Sequence, residues 1–212
     1  AINGPHITIH KPPPHPESLD ALSQDNLGSG PVNFLKQVLA QGRSIVVAVS
    51  SYSSNPFHTL GALVGSIEGN TRIVTIAHGA QFNIQKSQII SLRADNQTKQ
   101  NSELLQHALC LKPGYIVDGP SRSSLENIET LICAGHRSFL TTIYAATADE
   151  AAALLLLKSP KGPDILVMQE NDASGQAIVT GIFEASKNDY SPLFIRTPGG
   201  SLEAIGELTQ LR

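Results

Sequence analysis

Residues 103–150 decide the fold, and they read ELLQHALCLKPGYIVDGPSRSSLENIETLICAGHRSFLTTIYAATADE. Three stretches in and around this segment have the apolar spacing of helices, and two short runs between them have the length of buried strands. Helices are expected over 102–109, 124–133 and 148–157, and strands over 115–117 and 138–143. Strands that alternate with helices pair in parallel through right-handed crossovers, so the segment predicts a parallel α/β sheet.

The sequence before residue 103 continues the same alternation. Gly30-Pro31 opens a helix that ends at Gly42, and the run 44–49 is almost continuously apolar, as a strand buried on both faces requires. Pro56 suits the start of a following helix. Two further strands are expected, at 72–76 and, as an edge strand, at 89–92.

The two ends of the chain have a different texture. After residue 158, Gly, Asn, Asp and Pro separate short strands, expected over 164–169, 177–184 and 193–196. At the other end we expect a short strand at 7–10, a proline-rich connector and a short helix capped by Ser18. The predicted fold class is therefore α/β, a mainly parallel sheet flanked by helices with a C-terminal antiparallel β meander.

Composition narrows the classes of function. The 212 residues are 41% hydrophobic and 16% charged with a net charge of −3, so neither a disordered chain nor a nucleic-acid partner is expected. The longest apolar run, 151–157, is too short to span a bilayer, and no signal peptide is visible, so we expect a cytoplasmic location without membrane insertion. Cys110 and Cys133 lie in apolar segments and are expected to be buried thiols, with no metal-ligand spacing.

Several motifs, in order, resemble those of the secretion ATPases of type II, type IV and Tad/Flp pilus machines, with the CpaF/TadA-like branch closest. Gly42-Arg43-Ser44-Ile45-Val46-Val47 resembles the segment that leads into the family's phosphate loop, Arg72–Ile76 resembles its RIVTIED strand, and Gly135-His136 resembles its TGH turn. The resemblance implies a RecA-like P-loop NTPase-type domain over 31–212, with its antiparallel C-terminal strands in 165–212. It also implies that residues 1–30 are a linker and a short helix from a preceding domain.

The phosphate loop departs from the family pattern. A P-loop needs glycines that let the backbone approach phosphate, a Lys for the β- and γ-phosphates, and a Ser or Thr for Mg²⁺. No Lys or Arg occurs between Arg43 and Arg72, and the aligned Lys and Ser/Thr positions hold Pro56 and Phe57. The degenerate loop, which contains no glycine, comprises Ser50, Ser51, Ser53, Ser54, Asn55, Pro56 and Phe57.

The acidic and histidine motifs of the family are also degenerate. Ala77 and His78 stand where the family has a Glu-Asp pair, and Pro120 stands where it has the catalytic Glu. Tyr144 replaces the His of the TIHAN motif, and a phenol with a pKa of about 10 is not a cation at neutral pH. Asp118, on the same strand face as position 120, is either a distorted substitute acid or part of an Asp-Gly turn at the strand end.

Some family positions are retained, namely Arg122, Gly135, His136 and Thr142. They could serve subunit contacts, bind an anion or persist for packing alone. Together, the resemblance and its departures predict a pseudo-ATPase, a non-hydrolysing scaffold or regulatory subunit of a pilus or secretion machine. We expect no catalytic residue, no metal site and no tight binding of ATP or Mg²⁺.

The expected partners are an active secretion or pilus ATPase, other subunits of the machine, or further copies of this chain in a homo-oligomer. The resemblance places the protein in the cytoplasm, at the inner-membrane face of such a machine. Three alternatives stay open: a divergent ATPase completed by residues of a neighbouring subunit, a sensor of a nucleotide or cyclic dinucleotide, and an unrelated α/β domain.

Overall fold

The computed structural model describes residues 17–22, 27–52, 54–76, 88–93, 100–121, 123–159, 161–197 and 200–205. These ranges contain six helices and nine strands. The helices are α1 (Leu19–Leu22), α2 (Ser29–Ala40), α3 (Phe57–Ser66), α4 (Gln100–Cys110), α5 (Ser124–Cys133) and α6 (Ala148–Lys158). The strands are β1 (Ile45–Val49), β2 (Ile73–Ile76), β3 (Ile89–Leu92), β4 (Tyr115–Asp118), β5 (Phe139–Tyr144), β6 (Ile165–Asn171), β7 (Ala177–Ala185), β8 (Tyr190–Arg196) and β9 (Leu202–Ala204).

All nine strands form one sheet in the order β3-β2-β4-β5-β1-β6-β7-β8-β9. The pairs from β3 to β6 are parallel, and the pairs from β6 to β9 are antiparallel. The predicted fold class is confirmed at this level: a mostly parallel α/β sheet with antiparallel C-terminal strands. Every residue of the central strand β1 is buried, which explains why its sequence is continuously apolar.

Helices cover both faces of the sheet. Ile45, Val47 and Val49 of β1 face a core formed with α1, α2 and α3. The alternate residues, Val46 and Ala48, face a second core formed with α4, α5 and α6. This alternation fixes which face of the sheet each later residue reaches, because successive side chains of a strand point to opposite faces.

The structure confirms the predicted helices and strands in the described ranges, with some changes in their bounds. The strand predicted at 193–196 begins earlier, at Tyr190, and the strand predicted at 164–169 continues to Asn171. Strand β9 was not predicted, because its three residues are too few to show an alternating pattern. The predictions for residues 7–16 lie outside the described residues.

The prediction that both cysteines are buried is wrong. Cys110 is the last residue of α4 and Cys133 the last of α5, and both are exposed. Each ends an amphipathic helix on its solvent side, and an apolar neighbourhood in sequence does not reveal that side. In the part of the chain that the structure describes, no helix is both long and apolar enough to cross a membrane.

Helix α1 packs onto α3. Leu19 and Leu22 are buried in the same core as α2 and α3. The amide of Leu19 donates to Ser66 Oγ at 2.8 Å, and Ser18 Oγ accepts from the amide of Ala21 at 3.4 Å, as expected of a capping residue. The division of the chain at residue 30 remains a prediction, and α1 contributes to the core on the 31–212 side of that division.

The contact between α1 and α3 gives a test of the packing. A Cβ at Gly65 would lie 1.8 Å from the carbonyl oxygen of Glu17, so Gly65→Ala forces the backbone apart. We expect this variant to lose roughly 1–3 kcal/mol of unfolding free energy in urea titrations. Gly30→Ala is the matched control, because a Cβ there meets nothing closer than a Phe194 ring carbon at 3.9 Å. It should be neutral or slightly stabilising; equal stability of the two variants would contradict the packing of residue 17 on α3.

Candidate functional site

The candidate site lies at the edge of the sheet where the parallel strands end. The loop 50–56 follows β1, Gly119 and Pro120 follow β4, and Tyr144 is the last residue of β5. Because carboxyl ends of parallel strands meet at one edge, the sheet brings together the loop predicted to be a degenerate phosphate loop, Pro120 at the predicted acid position and Tyr144 at the predicted His position.

Gln169 of β6 lies against the loop, and it is fully buried. Its side-chain Nε2 donates to Ser54 Oγ at 3.0 Å and to the main-chain oxygen of Asn55 at 2.8 Å. Its Oε1 accepts from the amide of Thr59 at 3.2 Å, and its main-chain oxygen accepts from the amide of Ser50 at 3.0 Å. One residue of β6 therefore holds both ends of the loop and the first turn of α3.

The amides at the start of α3 all bond to protein oxygens. The amide of Phe57 donates to Asn55 Oδ1 and that of His58 to the Asn55 main-chain oxygen, both at 3.1 Å, while that of Thr59 donates to Gln169. A helix start normally leaves such amides free, which is why it can bind phosphate. Here an anion would first have to displace these internal acceptors.

A cavity of about 640 Å³ opens beside the loop. Among the described residues, its lining combines aromatic, apolar and hydroxyl side chains, none of them charged at neutral pH: Tyr52, Pro120, Ser121, Ser124, Leu125, Ile143 and Tyr144. A magnesium-bound nucleotide needs cations for its phosphates and carboxylates for its metal. The residues that line this cavity do not fit that ligand.

Tyr52 of the loop stacks on Tyr144 at the end of β5. Their ring centroids are 4.1 Å apart with an angle of 32° between the ring planes. Burial, and secondarily the neighbouring Tyr52, raise the pKa of Tyr144, so its phenol stays neutral at physiological pH. The Tyr52 ring thus covers part of Tyr144, which the sequence comparison predicted to stand at a His position, while Tyr52 itself is 84% exposed.

Asp118, at the end of β4, is buried away from the cavity lining. Its Oδ2 accepts from Asn127 Nδ2 at 3.0 Å and from Thr141 Oγ1 at 3.5 Å. Burial raises the pKa of Asp118 to about 7, and the hydrogen bonds from Asn127 and Thr141 only partly oppose that shift. The amide of Gly119 donates to the carbonyl oxygen of Ile76 at 2.9 Å and continues the pairing of β4 with β2. The carboxyl group therefore joins β4 to β5 and α5.

Gly135 and His136 lie at the opposite edge of the sheet, since they precede β5. Gly135 has a φ of 74°, and amides 135 and 136 donate to the carbonyls of Ile132 and Leu131, which ends α5 in the usual glycine-capped manner. His136 Nε2 lies 3.0 Å from the carbonyl oxygen of Ser138, and burial lowers the pKa of His136. In the described structure these two residues form a helix cap and do not meet the loop.

The other retained or degenerate positions divide into two groups. Thr142 is buried within β5, and its hydroxyl has no hydrogen-bond partner among the described residues. The remaining predicted positions, which lie outside the described residues, are Ser53, Ala77, His78 and Arg122. Their roles remain predictions.

The residues of the site that were not predicted include Tyr52, Asn127 and Gln169. Gln169 carries one visible signal: it is a polar residue directly after the apolar run 165–168 in a strand expected to be buried. Buried amides need partners, and the loop after β1 is the nearest place where a strand beside β1 could find them. Tyr52 and Asn127 have no comparable signal, because their contacts depend on the packing of distant segments.

The comparison with solved structures shows a shared fold. No protein-family model and no curated protein matches the chain. Solved structures do match, among them the VirB11 ATPase from the Brucella suis type IV secretion system in complex with sulphate. That match has a TM-score of 0.61 and 16% identity, and it covers 86% of this chain and 62% of that chain.

Two DotB ATPases are also similar. The Legionella pneumophila protein matches with a TM-score of 0.57 and 13% identity, over 73% of this chain and 49% of that chain. The Yersinia pseudotuberculosis protein matches with a TM-score of 0.55 and 15% identity, over 77% of this chain and 48% of that chain. The chain spans less than two thirds of the length of each structure, and identities this low show a shared fold alone.

The environment of Asp118 predicts a pH dependence of stability. Because its folded pKa of about 7 lies above the ordinary value of 3.8 for an Asp side chain, the native state keeps a proton that the unfolded chain releases. The stability from this group is complete at low pH and is lost as pH rises towards and through 7. In urea titrations between about pH 4.5 and 7.5, we expect the free energy of unfolding of wild type to fall by up to a few kcal/mol relative to that of Asp118→Asn.

Asp164→Asn is the control, because the pKa of Asp164 is shifted in the opposite direction and its contribution to stability has the opposite pH dependence. Burial tends to raise the pKa of Asp164, but hydrogen bonds from Ser44 and the charge of Arg137 outweigh it and hold the pKa below its usual value. The contribution of Asp164 is therefore lost as pH falls into the acidic range. Parallel profiles for wild type and Asp118→Asn between pH 4.5 and 7.5 would contradict the buried-acid assignment.

Proposed function

We propose that this chain is a pseudo-ATPase, a catalytically degenerate relative of the type II/IV secretion and pilus ATPases in the Tad-pilus, CpaF/TadA-like branch. In this proposal it has a RecA-like, P-loop-derived architecture and acts as a non-hydrolysing scaffold or regulatory subunit. The shared fold with the VirB11 and DotB ATPases and the ordered sequence motifs support the relationship. One observation carries the loss of activity: the loop satisfies its helix amides internally, beside a cavity whose described lining has no charge.

The number of changes makes residual hydrolysis by this chain alone implausible. Phosphoryl transfer depends on positioning and on charges that stabilise the transferring group. Removing one such group typically costs about 10²- to 10³-fold in rate. Here Pro56, Pro120 and Tyr144 stand at three positions where the family has Lys, Glu and His, while the apolar core that supports the fold is complete in the described ranges.

A scaffold uses the surface of the fold, which is independent of the loop chemistry. Two large side chains offer contact points for another protein, Tyr52 at 84% and Leu157 at 81% exposure. The proposed partners are an active secretion or pilus ATPase, other machine subunits or further copies of this chain, in the cytoplasm at the inner-membrane face. A net charge of −3 gives no support for nucleic acid.

The cavity favours a second candidate function, a small-molecule sensor. Its volume of about 640 Å³ suits a small ligand, and Tyr52 and Tyr144 offer aromatic stacking surfaces. Because the described lining has no cation, an uncharged aromatic ring fits it better than a cyclic dinucleotide does. The scaffold remains the preferred proposal, since no described residue of the cavity distinguishes one ligand from another.

Nucleotide titration tests the proposal directly. We expect isothermal titration of the protein with ATP, ADP and a non-hydrolysable ATP analogue to show no saturable binding at micromolar concentrations, with Mg²⁺ or with EDTA. The physical reason is the lack of a charged partner for the phosphates in the described lining. Micromolar affinity that requires Mg²⁺ would defeat the pseudo-ATPase and favour the divergent ATPase. A saturable response to a cyclic dinucleotide alone would favour the sensor.

Restoring one acid should not restore hydrolysis. Pro120→Glu returns a carboxylate to the cavity lining but leaves the loop without a cation and Tyr144 in place of the His. We expect phosphate release from ATP to stay at the background of the matched variant Pro120→Gln. Turnover in Pro120→Glu well above that background would show that the loop still binds and positions a nucleotide.

A further inference from the structure

The contact between Gln169 and the loop joins segments that are far apart in the chain. In the sequence, Gln169 is 110 residues from Thr59 and 115 residues from Ser54. Its side chain bonds to both and is fully buried. A buried amide with all three of these hydrogen bonds orders both partners, because leaving any of them unmade in the interior is costly.

We propose that Gln169 is an autoinhibitory contact, whose side chain holds Ser54 and Asn55 of the loop closed over the start of α3 and keeps a small oxyanion out. This inference deepens the proposed function and rests on it, since it identifies the residue that closes the degenerate phosphate loop. Removing the Gln169 side chain uncovers a weak site for a phosphate-like anion.

The geometry assigns each half of the amide a separate task. Oε1 takes the place of an anion oxygen, because it accepts from the Thr59 amide in the first turn of the helix. Nε2 draws the loop inwards, because it donates to both Ser54 and Asn55. An anion that approached α3 would have to break all three contacts and leave a buried amide unpaired.

A second observation points to unused binding capacity at the same place. The hydroxyl of Thr59, in the first turn of α3, is fully buried and has no hydrogen-bond partner among the described residues. Buried hydroxyls in native proteins are nearly always paired. With Gln169 removed, the Thr59 amide and hydroxyl become two neighbouring donors without acceptors.

Amide hydrogen exchange of the full chain, followed by NMR, tests the contact at single-residue level. In Gln169→Ala we expect the Thr59 amide to exchange at least ten times faster than in wild type. Adding millimolar inorganic pyrophosphate should slow that exchange again in the variant and leave wild type unchanged, with sodium chloride of equal ionic strength as the salt control.

One further variant separates the tasks of the two halves of the amide, and a second variant serves as its control. Gln169→Glu keeps an acceptor for the Thr59 amide but loses both donors, so Thr59 should stay protected while the loop around Ser54 exchanges faster. Glu170→Gln, on the next residue of β6, is the matched control and should change neither. Gln169→Met keeps the side-chain volume and replaces the alanine variant if that one does not fold.

Unchanged exchange at Thr59 in the alanine or methionine variant would overturn the proposal. So would faster exchange in the alanine variant that pyrophosphate does not reverse, because the contact would then be structural and would exclude nothing. Failure of this inference is distinguishable from failure of the proposed function, which depends on titrating wild-type protein with nucleotide.

Discussion

Backbone amides at the start of a buried helix need acceptors, and this constraint shapes the edge of the sheet where the parallel strands end. Helix α3 begins directly after the loop that follows β1, a strand buried along its whole length. Its first turn is buried at Phe57 and Thr59, so the amides there need acceptors within the protein. Asn55 and Gln169 supply the oxygens. The stacking of Tyr52 on Tyr144 and the lack of a charged side chain in the described lining of the cavity are consistent with amides that are paired internally.

The fold and the chemistry of its site are separable in this protein. The sheet depends on apolar side chains that fill two cores, and nothing in either core requires a ligand. The loops at the sheet edge can therefore change while the architecture persists, as the fold shared with the VirB11 ATPase at 16% identity illustrates. Asp118, two residues before Pro120, joins β4 to Thr141 of β5 and Asn127 of α5.

Pattern in the sequence was a good guide where burial is two-sided and a poor one where it is one-sided. The runs 45–49 and 115–117 could be placed as strands because both faces are covered, so every residue in them is aliphatic or aromatic. Cys110 and Cys133 were misplaced because a helix end has a solvent side that neighbouring apolar residues do not reveal. Strand β9 was not predicted because three residues are too few to show the alternating pattern of a strand.

The sequence by itself determined the alternation of strands and helices, and it determined that no Lys or Arg lies between Arg43 and Arg72. Both are local properties that folding cannot alter. Only the tertiary structure decided which group meets the amides at the start of α3, because Gln169 reaches Thr59 through a strand paired beside β1, 110 residues along the chain. The same holds for the burial of Asp118 and its raised pKa, which depend on the helix that packs over it.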